Sequence, residues 1–265
     1  MRTVKIQGGL GNQLFGLAFA RSIRVLTGDL VALDLASYGA DRYGRGFVLR
    51  ALAQSLGGMT LSRRPVLASR AADRLGRLIP LAGFIGETSP PPGDPAALTR
   101  LARRDAYFSG YWQDEAYIAE ADALQAAVRA EVFHHTAETP TCDAVIHYRT
   151  YKDEARPDRQ GVPGTGYFRQ CIDILGARDV VLVSDDPALA LDRIGDIGAR
   201  ITVHAGQSAW HDMALLLKAR RLILTNSSFS WWGGYAGDAE RIYYPGRDRL
   251  FHYPHPAARF TLVRT

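Results

Sequence analysis

An arginine two places after a histidine, His147-Tyr148-Arg149, closes the apolar run Ala144 to Ile146. If that run is a strand of an open α/β sheet, the pair stands where such sheets bind ligands, beyond the strand's carboxyl end. The planar fork of an arginine matches a diphosphate. It also stabilises charge developing on a leaving phosphate without a metal, and the histidine adds a second polar group. Asn226-Ser227-Ser228-Phe229-Ser230-Trp231-Trp232-Gly233-Gly234 is the second segment of this kind. Hydroxyls and free amides at a helix start form an anion pocket, although a serine there also serves as a plain cap and the tryptophans as core. In Ser184-Asp185-Asp186-Pro187 a carboxylate can accept from a base edge or a ribose hydroxyl, or simply cap the helix that Pro187 opens. Gly8-Gly9-Leu10-Gly11-Asn12-Gln13 completes the set. Glycines between a strand and a helix admit a ligand to the backbone. They equally form a tight turn, or half of a dinucleotide fingerprint with Asp34 on the ribose, except that Leu14 occupies the sixth position, where that fingerprint requires glycine or alanine.

The elements that would carry these segments alternate between strand and helix. Thr3–Gln7 reads as a strand, Asn12–Leu26 as a helix apolar on one side, and Leu30–Leu35 as a second strand. Phe47–Leu56 and the basic Arg63–Leu81 read as helical, Ser89–Pro95 as a loop, Tyr107–Trp112 as a strand and Glu115–Val132 as a helix. The polar stretch His134–Cys142 is the expected domain boundary, giving domains 1–138 and 139–265. The pattern then restarts. Strands are expected at Ala144–Tyr148, Asp179–Val183, Arg200–His204, Arg221–Thr225 and Arg241–Tyr244, with helices at Gly166–Leu175, Pro187–Ile194, Trp210–Ala219 and Ser228–Ala236. This is an α/β chain of two Rossmann-like halves.

Composition narrows the function. Hydrophobic residues at 47% supply a sizeable core. A net charge of +5 fits an anionic ligand or membrane surface, and no basic run is dense enough for a nucleic-acid arm. Cys142 and Cys171 make neither a disulfide framework nor a zinc site by spacing. The N-terminal stretch lacks a signal-peptide pattern, and no window has the roughly 18 apolar residues of a membrane span. A cytoplasmic protein is expected, with peripheral contact at the inner membrane compatible with its charge.

Together these segments resemble the bacterial α-1,2-fucosyltransferases, glycosyltransferase family 11. The Gly8–Gln13 segment, Gly110-Tyr111-Trp112-Gln113, His147 with Arg149, Ser184–Asp186, and Asp212 followed by Asn226–Trp232 carry the resemblance, in order. It implies a GT-B-like fold, two Rossmann-like domains facing a cleft, with an N-terminal acceptor-side domain and a C-terminal domain for the donor. The implied activity is inverting, metal-independent transfer from GDP-fucose to a glycan, a galactoside, in surface polysaccharide or lipopolysaccharide synthesis, with no cofactor. Arg149 would stabilise the GDP leaving group, with His147 beside it. Asp185 would contact the guanosine, and Asn226, Ser227, Ser228 and Phe229 would line the diphosphate and fucose region. Asn12 and Gln13 would face the transferred sugar from the first domain. The family pattern His-x-Arg-Arg-Gly-Asp-Tyr is altered here, where Thr150-Tyr151-Lys152 follow Arg149 and the acids come later, at Asp153 and Glu154. Asp153 is the candidate to deprotonate the acceptor. Two other readings remain at this level, an NAD-dependent oxidoreductase and a non-catalytic GDP-sugar-binding protein.

Overall fold

The computed structural model describes residues 2–40, 44–62, 83–87, 94–135, 142–152, 161–206, 208–245 and 259–263. The chain forms two compact units, Met1–Ala127 and Val128–Thr265. The division falls inside a helix, Ala121–His134 (α4), a few residues before the polar stretch that the sequence offers as a boundary. The C-terminal part of α4 is tied to the second unit by Arg129, whose guanidinium meets Asp238 at 2.5 Å, and by Phe133, whose ring lies 5.2 Å from Lys218 Nζ.

In the first unit, β1 (Arg2–Lys5), α1 (Leu10–Thr27) and β2 (Val31–Asp34) follow the expected order. After them come α2 (Arg50–Leu56), β3 (Met59–Ser62), β4 (Phe84–Gly86), α3 (Pro95–Ala102) and β5 (Tyr107–Ser109). The sheet is parallel throughout, in the order β3-β2-β1-β5-β4. Its core is aromatic. Phe19 of α1 stacks on Trp112 at 4.1 Å, and Phe108 and Tyr117 meet these rings edge-on. The short strands β3 and β4 have no apolar alternation long enough to announce them, and pairing with β2 and β5 creates them. The helix expected over Glu115–Val132 is interrupted. Asp114 caps a short 3₁₀ turn, Glu115–Tyr117, and Glu120 adopts a positive φ of 52° before α4 begins. The basic stretch Arg63–Leu81 lies outside the described residues, as does most of the loop expected at Ser89–Pro95, where Pro95 instead opens α3 behind the cap Asp94.

The second unit contains β6 (Ala144–Tyr148), α5 (Thr165–Leu175), β7 (Asp179–Ser184), α6 (Pro187–Ile194), β8 (Arg200–Val203), α7 (Ala209–Lys218), β9 (Arg221–Leu224), α8 (Ser228–Ala236), β10 (Arg241–Pro245) and β11 (Phe260–Val263). Its sheet, also parallel throughout, runs β11-β10-β9-β6-β7-β8. β6 is buried along its whole length, as a strand covered by helices on both faces must be. The Tyr167 hydroxyl of α5 sits between the carbonyls of Leu224 and Tyr243, at 2.7 and 3.0 Å, locking that helix over two strand ends. Trp231 and Trp232 are fully buried and pack around Tyr235, so the tryptophan pair is core, not ligand surface. β11 is absent from the sequence reading because its four residues follow a long uncharacteristic stretch.

Candidate functional site

Strand order decides where a ligand goes. In the second sheet β7 and β8 lie to one side of β6, and β9, β10 and β11 to the other. The chain therefore reverses direction between β6 and β9, and the crevice at their carboxyl ends is the expected ligand position. His147, Arg149, Asn226 and Ser227 all stand at these two strand ends. Asp185 stands at the end of β7, and Ser228 and Phe229 in the first turn of α8.

Arg149 is held in place from several directions. Its backbone N–H donates to Thr225 Oγ1 at 3.1 Å, bridging β6 to β9. Its Nη1 donates to Asp185 Oδ2 at 2.8 Å. The Asp185 carboxylate also accepts from Thr150 N at 2.8 Å and Thr150 Oγ1 at 2.9 Å. Expected as a guanosine contact, Asp185 is here engaged with the arginine and the loop after it. Pairing fixes the direction of the guanidinium fork before any ligand arrives, and part of the fork remains exposed. Arg193 of α6 supports the same loop by donating from Nη1 to Thr150 O at 2.7 Å.

The altered segment after Arg149 has a distinct geometry. Thr150, in the place of a second arginine, is fully buried. Tyr151, in the place of a glycine, still adopts the left-handed backbone, with φ 54°. For a residue with a side chain this costs on the order of 1 kcal/mol. It is offset by the Tyr151 hydroxyl donating to Asn226 O and by the Arg149 guanidinium lying 5.6 Å from the ring centroid. Lys152, in the place of an aspartate, meets Asp186 at 3.1 Å. Asp186 in turn caps α6 through Leu189 N, and that bond and Lys152 hold its carboxyl below the usual range. Asp153 and Glu154 lie outside the described residues.

His147 is 6% exposed, its ring stacked at 5.1 Å on Phe229 and its Nδ1 hydrogen-bonded to Ser230 Oγ at 2.5 Å. Burial pushes its pKa down to about 4, Arg149 pushes the same way, and Asp185 opposes. At neutral pH it is therefore an uncharged imidazole, suited to orienting a neighbour and not to adding charge. Ser227 caps α8, its Oγ accepting from Phe229 N at 3.2 Å. The helix start thus retains first-turn amides with no intrahelical partner, next to the arginine. Asp212, in the first turn of α7, is half-buried, which raises its pKa, and lies 3.6 Å from His204.

The structure gathers His147, Arg149, Asp185, Asn226, Ser227, Ser228 and Phe229 at one switch point, while Asn12 and Gln13 belong to the first unit. Gln13 is buried there and occupied in full. Its Nε2 donates to Gly8 O and Gly46 O, and its Oε1 accepts from Val48 N. Thr225 and Arg193 escaped the sequence reading. Thr150 left a signal only as a departure from the family pattern, and Ser230 only as one hydroxyl of the Asn226–Gly234 segment. The dinucleotide alternative fails on Asp34, which is fully buried and accepts from Ala36 N and the Tyr107 hydroxyl, both at 2.9 Å. No ribose can reach it. Among the described residues no group of three or more His, Cys, Asp or Glu is placed to hold a metal ion, and no helix is long and apolar enough to cross a membrane.

Two consecutive parallel-sheet units, the second with an arginine-bearing switch point, make up an α/β fold of the GT-B-like kind. The model of glycosyl transferase family 11 matches residues 97–245, more than half of the chain, and the chain belongs to that family. No curated protein matches it significantly. Similar solved structures include the fucosyltransferase NodZ from Bradyrhizobium, at 17% identity over 95% of this chain and 97% of that one, TM-score 0.46. Others are the E. coli heptosyltransferase WaaC with ADP, at 13% over 100% and 91%, TM-score 0.48, and POFUT1 in complex with GDP-fucose, at 12% over 91% and 97%, TM-score 0.46.

Proposed function

We propose that this chain is an inverting fucosyltransferase that moves fucose from GDP-fucose to a hydroxyl of a galactoside, in an α-1,2 linkage and without a metal, during surface polysaccharide or lipopolysaccharide assembly. The observation that carries the reading is the pre-aimed guanidinium of Arg149, at the β6/β9 switch point beside the start of α8. In the reaction the acceptor oxygen bonds to the anomeric carbon of fucose as the bond from that carbon to the β-phosphate oxygen breaks. The electron pair leaves with GDP, and Arg149 meets the charge that accumulates there. Ser227, Ser228, Asn226 and the first-turn amides of α8 receive the diphosphate and the sugar next to it. Asp185 keeps Arg149 in register, and neutral His147 holds Phe229 and Ser230 in place. The acceptor proton passes to Asp153, from its position just after Lys152. The enzyme works at the cytoplasmic face of the inner membrane, its net charge of +5 drawing it to acidic headgroups.

A GDP-release assay in EDTA tests this, with GDP-fucose, GDP-mannose and UDP-galactose as donors and galactosides as acceptors. Acceptor-stimulated release from GDP-fucose alone is expected. The segment Thr150-Tyr151-Lys152 favours one competing outcome, a protein that binds the donor without transferring it. Tight GDP binding without release from any donor would establish that outcome and sink the enzymatic reading.

A further inference from the structure

Each of the residues after Arg149 that depart from the family pattern has a partner on a different element. Thr150, where the pattern has arginine, donates from N and Oγ1 to Asp185, just beyond β7. Tyr151, where it has glycine, donates from its hydroxyl to the carbonyl of Asn226, just beyond β9. Lys152, where it has aspartate, meets Asp186, the cap of α6, at 3.1 Å. A segment released from its task has no reason to keep its side chains paired, and here every replacement is paired. Tyr151 is the least expected of them. Its φ of 54° is a backbone that glycine adopts freely and tyrosine does not. Only surrounding contacts hold a residue with a side chain there, and such positions collect at functional sites.

The contacts that hold Tyr151 lead to the arginine. Its ring lies under the Arg149 guanidinium, with Cζ 5.6 Å from the centroid, close enough for the cation to be drawn to the ring face. Its hydroxyl fastens that ring to the residue that opens the Asn226–Phe229 segment. The backbone N–H of Arg149 bonds to Thr225 Oγ1, so the loop is tied beyond β9 at two successive residues, Thr225 and Asn226. On another side the guanidinium meets the Asp185 carboxylate at 2.8 Å. A carboxylate bonded to Nη1 leaves the fork free to turn about that bond, and a ring against it limits the turning. An arginine side chain has several rotatable bonds, and freezing them before a ligand arrives removes a cost from binding.

We infer that Tyr151 is a positioning residue of the donor site, its ring and hydroxyl together aiming the Arg149 guanidinium, a task that no side chain can perform where the family pattern has glycine. Aiming of this kind matters for GDP whether or not transfer follows, and it rests on the proposal above that Arg149 meets the diphosphate. The test is calorimetric titration with GDP of the wild type, Tyr151→Gly, Tyr151→Leu, Arg149→Ala and the double variant Tyr151→Gly/Arg149→Ala, with a thermal melt of each. Tyr151→Gly and Tyr151→Leu should each weaken GDP binding about threefold or more. The double variant should bind within about twofold of Arg149→Ala alone, because Tyr151 then has nothing left to aim. Stability should move differently. Tyr151→Gly relieves the left-handed backbone and should melt no lower than Tyr151→Leu, which keeps it. A residue that merely supports folding would make affinity follow the melting temperature, with the glycine variant the tighter binder of the two. Undiminished GDP affinity in Tyr151→Gly overturns the assignment, as does a double variant that suffers both single losses in full. A wild-type protein that does not bind GDP overturns the donor site and Tyr151 with it. GDP binding without turnover sinks transfer alone, and the comparison of single and double variants still decides Tyr151.

Discussion

Burial takes His147 out of the range in which histidines usually titrate. Its native pKa of about 4 lies below the ordinary value near 6.5. Between those values the unfolded chain takes up a proton that the native state refuses, so stability is complete above the upper one and falls as pH drops toward the lower. The shift corresponds to roughly 3 kcal/mol. Urea unfolding at pH 7 and pH 4.5 should show most of that loss, and His147→Gln, which keeps a polar partner for Ser230 without titrating, should show a flatter profile. Arg149 acts by charge and shape together. Arg149→Ala should lower kcat by about 100-fold or more while the thermal midpoint stays near that of wild type. Asp185→Asn removes the charge facing Arg149 and turns an amide toward donors. A charged hydrogen bond of this kind is worth about 1.5–3 kcal/mol. GDP affinity measured by calorimetry should weaken about tenfold or more, and undiminished affinity would separate Asp185 from the donor site.

At the scale of elements, α8 links the site to the core. Its first turn faces the switch point through Ser227, Ser228 and Phe229, while Trp231, Trp232 and Tyr235 in the following turns are buried. α7 packs directly against it, with Leu216 facing Gly233. A Cβ at Gly233 would stand 2.7 Å from Leu216 Cβ. Gly233→Ala should therefore destabilise by about 1–3 kcal/mol despite the better helix propensity of alanine, and GDP affinity should fall because the helix start shifts with its body. A more stable Gly233→Ala protein, by thermal melt, would show that the helices can separate at no cost.

For the whole molecule, the chain divides into two compact units, each with its own parallel sheet and its own switch point. A ligand binding only the native state stabilises it by mass action, about 2.7 kcal/mol at a hundredfold excess over Kd. Hydrogen exchange with GDP should slow at the ends of β6, β7 and β9 and at the start of α8, leaving β1 and β5 unchanged. Protection by GDP centred on β1 and β5 would overturn the proposed donor site.

The sequence alone determined the alternation of strand and helix in both halves, because apolar periodicity and glycine breaks are local signals. His147, Arg149, Asp185 and Ser227 were legible for the same reason, since each ends a strand or opens a helix. What only tertiary structure decided are relations between distant segments. Asp185 became the partner of Arg149 across 36 positions, and Asp34 a buried acceptor for Tyr107. The tryptophan pair became core. Thr225 was invisible because a threonine signals nothing until an amide such as that of Arg149 is brought to it. Strands β3, β4 and β11 were likewise missed. Hydrogen bonding to β2, β5 and β10 holds them in their sheets.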